Sequence, residues 1–223
     1  MARLNMGSLS FAGSQVSYWD RVANEKRFSH PLKLELFGRY SHPGARILDY
    51  GCGYGRTLAE LSQAGFKNLV GVDSSKAMLA RARATVAHPV LVRNDENRLP
   101  FTDESFDAIL LFAVLTCIPE SDKQRSLMSE LERVLRPGGL LYLSDLVLNT
   151  DERNRKRYER DAEKFNCYGV FELPEGVVVR HHTSEWISEL TRSFQQLEYE
   201  AFTVTTMNGN ASAAFQSLGR KSD

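Results

Sequence analysis

Between Arg46 and Leu143 the chain repeats one pattern: a short apolar run, then a longer stretch whose apolar residues recur three or four positions apart. Runs of that length read as strands, and stripes of that period read as amphipathic helices. Residues 46–50, 69–72, 90–92, 106–114 and 140–143 supply five strands. Leu58, Leu61 and Ala64 mark a helix ended by Gly65. Met78, Leu79, Ala82 and Val86 mark a second, capped by Ser74 or Ser75, and Leu127, Met128, Leu131, Val134 and Leu135 stripe a third that stops at Pro137-Gly138-Gly139. Such alternation requires a parallel sheet with right-handed crossovers, and the nearly all-apolar run 106–114 fits a central strand covered on both faces. Ligands are then expected at the carboxyl ends of the strands.

The last third differs. Runs at 194–204 and 213–218 flank Asn208-Gly209-Asn210, which predicts an antiparallel hairpin on one sheet edge. The expected fold is therefore α/β: a Rossmann-like, doubly wound, seven-stranded mixed sheet, mostly parallel, with helices on both faces. Residues 151–165 carry five acidic and six basic side chains with an apolar stripe of only Tyr158, Ala162 and Phe165, so a surface helix is expected there. Residues 171–179 read as a small hairpin, making 148–182 an insertion after the fifth strand.

With 28 Lys+Arg and 28 Asp+Glu in 223 residues, the chain has no net field to hold nucleic acid or an anionic membrane. The longest apolar run is too short to span a bilayer, and the start, MARLNMGSLSFAG, has no continuous apolar leader. Cys52, Cys117 and Cys167 are an odd, scattered set that suits a reducing compartment better than a disulfide framework or a zinc site. A cytoplasmic protein, monomer or homodimer, without a metal is expected.

The most informative segment is the turn after the first strand, Asp49-x-Gly51-x-Gly53-x-Gly55. Glycine turns at helix starts cradle anions through bare N–H groups. Here, however, the third glycine of the dinucleotide fingerprint is replaced by Arg56, and the Gly-Lys-Ser/Thr of a P-loop is absent. A carboxylate two residues before the first glycine repels pyrophosphate and attracts an ammonium or sulfonium.

ILDYGCGYGR resembles motif I of the class I S-adenosylmethionine-dependent methyltransferases, and further segments agree in order and spacing. Asp73 stands 24 residues after Asp49, where the family's acid binds the ribose hydroxyls. Asp95, in Asn94-Asp95-Glu96-Asn97-Arg98-Leu99-Pro100-Phe101, matches the acid that takes the adenine amino group. Phe106-Asp107, Phe112 to Leu115, and Leu135-Arg136-Pro137-Gly138-Gly139 complete the likeness. The family usually has glycine before the adenine acid and a small residue after it, where this chain has Asn94 and Glu96. The resemblance implies S-adenosylmethionine as cofactor, S-adenosylhomocysteine as product, and Asp49, Gly51, Gly53, Asp73, Ser74, Met78, Asp95, Glu96 and Phe112 around them. It also implies one domain: N-terminal lid helices at 1–43, a cofactor-binding core at 44–147, a substrate-cap insertion at 148–182, and a closing helix and hairpin at 183–223.

For the acceptor, proximity carries most of the reaction, and a base is needed only for a protonated nucleophile. Tyr18 and Trp19 are lid candidates, although helix packing alone would explain them. His181, His182 and Tyr18 are the catalytic candidates, the histidines as base or as orienting group; the plainer reading of that pair is two histidines at a strand end. Adjacent histidines on a strand face opposite ways and do not make a metal site. His30 sits before Pro31 and reads as a helix end. Cys117 and Cys167 would suit a thiol or metalloid acceptor if both faced the pocket; otherwise they are small buried side chains. The leading expectation is methyl transfer to a small, uncharged or weakly charged molecule. The alternatives are the thiol or metalloid enzyme and a protein that binds S-adenosylmethionine without turnover.

Overall fold

The computed structural model describes residues 12–86, 90–94, 96 and 98–222. Five parallel strands form the core: β1 (Arg46–Tyr50), β2 (Asn68–Asp73), β3 (Val90–Arg93), β4 (Phe106–Phe112) and β5 (Leu135–Leu146). Their order, continued by the last two strands β8 (Phe194–Thr205) and β9 (Ala211–Lys221), is β3-β2-β1-β4-β5-β9-β8. β9 runs antiparallel to β5, with Leu140 opposite Arg220 and Leu146 opposite Ala214, and β8 pairs antiparallel with β9. This is the expected seven-stranded mixed sheet. The order reverses between β1 and β4, so the chain leaves these neighbouring strands toward opposite faces and opens a crevice at their carboxyl ends.

Alternation along the strands sorts the core onto two faces. Leu48, Ile109, Leu111, Leu141 and Leu143 pack with Leu127, Leu131 and Val134 of α5 (Ser121–Val134) and with Ile187 and Leu190 of α7 (Ser184–Leu190). Ile47, Ala108, Leu110, Leu140 and Tyr142 face the other way, onto Leu61 of α3 (Arg56–Gln63) and Phe37 of α2 (Leu34–Tyr40). The cap of α4 (Lys76–Thr85) is Ser75, whose hydroxyl accepts from Met78 N–H, and that of α7 is Thr183.

Three details depart from expectation. Rather than stopping at Pro137-Gly138-Gly139, α5 ends at Val134 and the chain is already strand at Leu135, with a register shift before Ala108 meets Leu140. Pro137 has no N–H and Gly138 takes φ +68°, so this segment forms a bulge in the strand. Second, of the described N-terminal helices α1 (Ala12–Val22) lies over the crevice, whereas α2 packs on the sheet, with Phe37 fully buried against Phe66 and Tyr142. Third, α6 (Glu152–Phe165) is not merely a surface helix. Its Asn154, Tyr158 and Asp161 are buried, and its basic edge faces the crevice. The expected small hairpin is present as β6 (Val170–Glu172) with β7 (Val178–Arg180).

Candidate active site

A cavity of about 1340 Å³ opens at the carboxyl ends of β1 and β4, floored by the loops that follow them and roofed by α1, α6 and the β6–β7 hairpin. Its first floor is the glycine turn. Gly51 (φ +73°) and Gly53 (φ +51°) hold left-handed backbone, and a Cβ added to them would come within 2.4 Å of Val114 Cγ2 and 2.0 Å of Phe28 Cε2. Side chains are thus excluded both by conformation and by space. The second floor begins with Ala113 at φ +54°, strained for a residue with a Cβ and held by its N–H bond to Ser144 O, 2.7 Å.

Asp49 borders the cavity, is 2% exposed, and has one carboxylate oxygen, Oδ2, buried without a hydrogen-bond partner among the described residues. Burial first, opposed by Arg56 and reinforced by Asp73, pushes its pKa up to about 7. An orphaned buried carboxylate is costly, and a cationic ligand group would relieve it. Asp73, also on the cavity, accepts from Gly53 N–H and Ser75 N–H, each at 2.8 Å. It therefore holds the turn in shape as well as facing the ligand space. Gly51, Ser74, Met78, Glu96 and Phe112 all border the same cavity. Gly53 does not border it and acts through the turn and Phe28, while Asp95 lies outside the described residues. Phe112 serves two ends, edge-on to Tyr142 at 4.9 Å beneath the floor and open to the cavity above.

The roof is tied to both halves. In α1, Asp20 accepts from Ser75 Oγ (2.6 Å) and Ala77 N–H (3.1 Å), while Gln15 Nε2 donates to Val178 O (2.5 Å). Tyr18 and Trp19 lie between these anchors on the cavity wall, and Trp19 meets Phe28, which stacks on Tyr54 at 4.7 Å. Burial, then Glu175, raises the Tyr18 pKa, so the phenol stays protonated.

The two candidate histidines separate. His182 does not reach the cavity: Nδ1 meets Leu146 O at 3.1 Å and Nε2 meets Gln124 Nε2 at 3.0 Å, within the core. Its role is structural, which corrects the catalytic expectation. His181 does border the cavity, and its tautomer can be read from its neighbours. Asn149 Oδ1 accepts from Ala213 N–H (2.8 Å), so Asn149 Nδ2 is the group near His181 Nδ1, 3.3 Å away. Tyr158 Oη accepts from Asn149 N–H (3.2 Å), leaving its proton for His181 Nδ1 at 2.6 Å. The two Asn149 Nδ2 hydrogens go to Val147 O (2.9 Å) and Ser212 Oγ (3.0 Å), so the Tyr158 hydroxyl is the donor to Nδ1, and Nε2 carries the hydrogen. Burial, followed by Arg157, lowers the pKa of His181 to about 3. His181 is thus built to donate a hydrogen bond from Nε2, not to take a proton.

Sequence reasoning passed over three features. His30, read as a helix end, lines the cavity with Nδ1 on Ser144 Oγ at 2.9 Å, and burial, then Arg56, lowers its pKa to about 4. Tyr158 was visible only as an apolar position in a charged helix. Arg153 and Arg157, on the cavity side of α6, left no signal beyond helical spacing. The cysteines do not meet: Cys117 borders the cavity, its thiol pushed far up by burial, whereas Cys167 lies away from it with Sγ on Tyr168 O. This removes the two-thiol acceptor site. Among the described residues no group of three or more His, Cys, Asp or Glu is placed to hold a metal, and no helix is long and apolar enough to cross a membrane.

Residues 48–143 match a family model described as a methyltransferase domain. An O-methyltransferase of Aspergillus nomiae is 30% identical over 190 residues, covering 79% of this chain and 81% of that one. An uncharacterized methyltransferase of Synechocystis is 36% identical over 125 residues, 56% of this chain and 57% of its own length. For several such relatives the chain spans little more than half of their length. A SAM-dependent methyltransferase structure from Methanosarcina mazei superposes with a TM-score of 0.78 at 26% identity, over 84% of this chain and 97% of that one.

Proposed function

This chain belongs to the class I S-adenosylmethionine-dependent methyltransferases, and from that premise we propose that it methylates a small-molecule acceptor held beneath α1 and α6. The observation that carries the cofactor half is the orphaned Asp49 Oδ2 beside a glycine turn that admits no side chain. When bound, S-adenosylmethionine supplies a methyl group already activated on a sulfonium.

The chain's own residues then do three things. Asp49 offers a buried negative charge to a cationic ligand group, Asp73 offers its remaining lone pairs to ribose hydroxyls, and Ser74, Met78, Glu96 and Phe112 surround the adenosine space. Asp95 would be the adenine acid of the family pattern. Tyr18 and Trp19 close the roof, excluding water from the reacting centre. His181 orients the acceptor through its Nε2 hydrogen.

Among the described residues no histidine on the cavity wall is a base of neutral pKa: His30 is held near 4 and His181 near 3. The acceptor atom is therefore one that attacks without help or is already ionised at working pH, and alignment supplies the catalysis. O-methyltransferase relatives favour an oxygen nucleophile. The test is an acceptor screen that reads S-adenosylhomocysteine release, preceded by thermal shift with S-adenosylhomocysteine and with NAD. Stabilisation by the first alone supports the proposal. Stabilisation by NAD alone, or cofactor binding without release of product from any acceptor, overturns it, the latter in favour of a protein that binds the cofactor without turnover.

A further inference from the structure

Charge is spread unevenly round the cavity, with most of its lining cations gathered on α6. Arg153, Lys156, Arg157 and Arg160 of α6 all border it. Lys156 is paired with Glu152 and Arg160 with Asp161. Glu172, on the same wall, is paired with Lys164. Arg157 differs: among the described residues no carboxylate lies within ion-pair distance of it, and its Nε is buried without a hydrogen-bond partner.

Its guanidinium carbon lies 3.9 Å from the Phe171 ring centroid, and a side-chain hydrogen bond to Tyr158 also holds it, so cation–π contact and Tyr158 together keep the cation on the cavity wall. Phe171 in turn packs edge-on to His181 at 5.1 Å, which places that imidazole on the same wall. One turn back, Arg153 presents a second positive charge four residues from Arg157, an arrangement that destabilises a helix unless an anion lies between. The nearest acid, Asp151, is 3.9 Å from Arg153 and is already engaged as the helix cap by Asn154.

We propose that this wall is an anion subsite, in which Arg157, with Arg153 and the His181 Nε2–H, takes the carboxylate of an acceptor whose apolar or aromatic body lies against Tyr18, Trp19 and Phe171. A guanidinium offers paired N–H donors to a planar carboxylate, and one cation without a carboxylate partner matches a single negative charge better than a phosphate dianion. Burial, the main cause of the lowered Arg157 pKa, leaves the cation partly desolvated and strengthens its attraction for such a partner. The subsite rests on the methyltransferase reading of the cavity and narrows its substrate to a carboxylic acid.

The test uses the full chain with saturating S-adenosylhomocysteine. 4-Hydroxybenzoate, 4-hydroxycinnamate and indole-3-acetate are titrated by calorimetry beside their primary amides and beside phenyl phosphate. The acids are expected to bind at least tenfold more tightly than their amides, Arg157→Gln to abolish that preference, and Arg157→Lys to restore part of it, with S-adenosylhomocysteine affinity unchanged in both variants. Equal binding of acids and amides, no binding by any acid, tighter binding of phenyl phosphate, or an undiminished preference in a folded Arg157→Gln protein would overturn the subsite. Failure of S-adenosylhomocysteine to bind the unmodified chain would instead overturn the reading beneath it.

Discussion

Tyr158 Oη lies 2.6 Å from His181 Nδ1, a fully buried hydroxyl from the cap helix fixing a histidine on the cavity wall. The bond sets the hydrogen on Nε2 and ties α6 to the end of β7, so cap position and ring tautomer depend on each other. Tyr158→Phe is expected to lower stability by about 1–2 kcal/mol, the scale of a lost buried hydrogen bond with a partner left behind. Urea unfolding measures that loss. Turnover should also fall several-fold, while S-adenosylhomocysteine affinity stays unchanged.

Asp49 predicts a pH dependence of cofactor binding. Its pKa in the free protein is raised to about 7, so below that pH it is mostly protonated. A cationic ligand binds the ionised form, and binding below pH 7 must release a proton. Affinity is therefore expected to weaken about tenfold per pH unit below 7 and to level off above it. Calorimetry in buffers of different ionisation enthalpy should detect the released proton at pH 6.5, and Asp49→Asn should bind more weakly with no pH dependence in this range.

Asp73→Ala removes an acceptor of two backbone N–H bonds at the turn and at the start of α4, together with the proposed ribose contact. S-adenosylhomocysteine affinity should fall by about 1.5–3 kcal/mol. Unchanged affinity by calorimetry would remove Asp73 from the cofactor site.

Gly53→Ala sets a methyl group against Phe28 at a position of φ +51°, while Gly65→Ala meets open space at φ +92°. Both carry the left-handed backbone cost of about 1–2 kcal/mol. Only Gly53→Ala should also displace Phe28 from Tyr54 and weaken cofactor binding. The difference between the two variants in thermal shift with S-adenosylhomocysteine isolates the cradle from the backbone.

Cys167→Ser should leave turnover on any identified acceptor within about twofold, because Cys167 does not reach the cavity. A large loss of turnover would revive a thiol role for it.

Local pattern carried the scaffold. The apolar period marked strands and helices because a buried face demands it, and the spacing Asp49-x-Gly51-x-Gly53-x-Gly55 marked the cradle because only glycine tolerates that backbone there. The cofactor side of the cavity was legible for the same reason: one turn and two strand ends build it from residues close in sequence.

The acceptor side is assembled by contacts between distant segments, and no local period records them. His181 and His182 are neighbours in sequence, yet strand geometry turns one to the cavity and the other to Gln124 in the core. Among the described residues Arg157 has no carboxylate within ion-pair distance, whereas Glu152, Asp161, Glu172 and Asp151 are engaged by Lys156, Arg160, Lys164 and the helix cap. Sequence by itself determined the sheet, the glycine cradle and the family. Tertiary structure alone decided which histidine meets the ligand, which helix covers it and where the charge stands, because burial and pairing are properties of the packed chain.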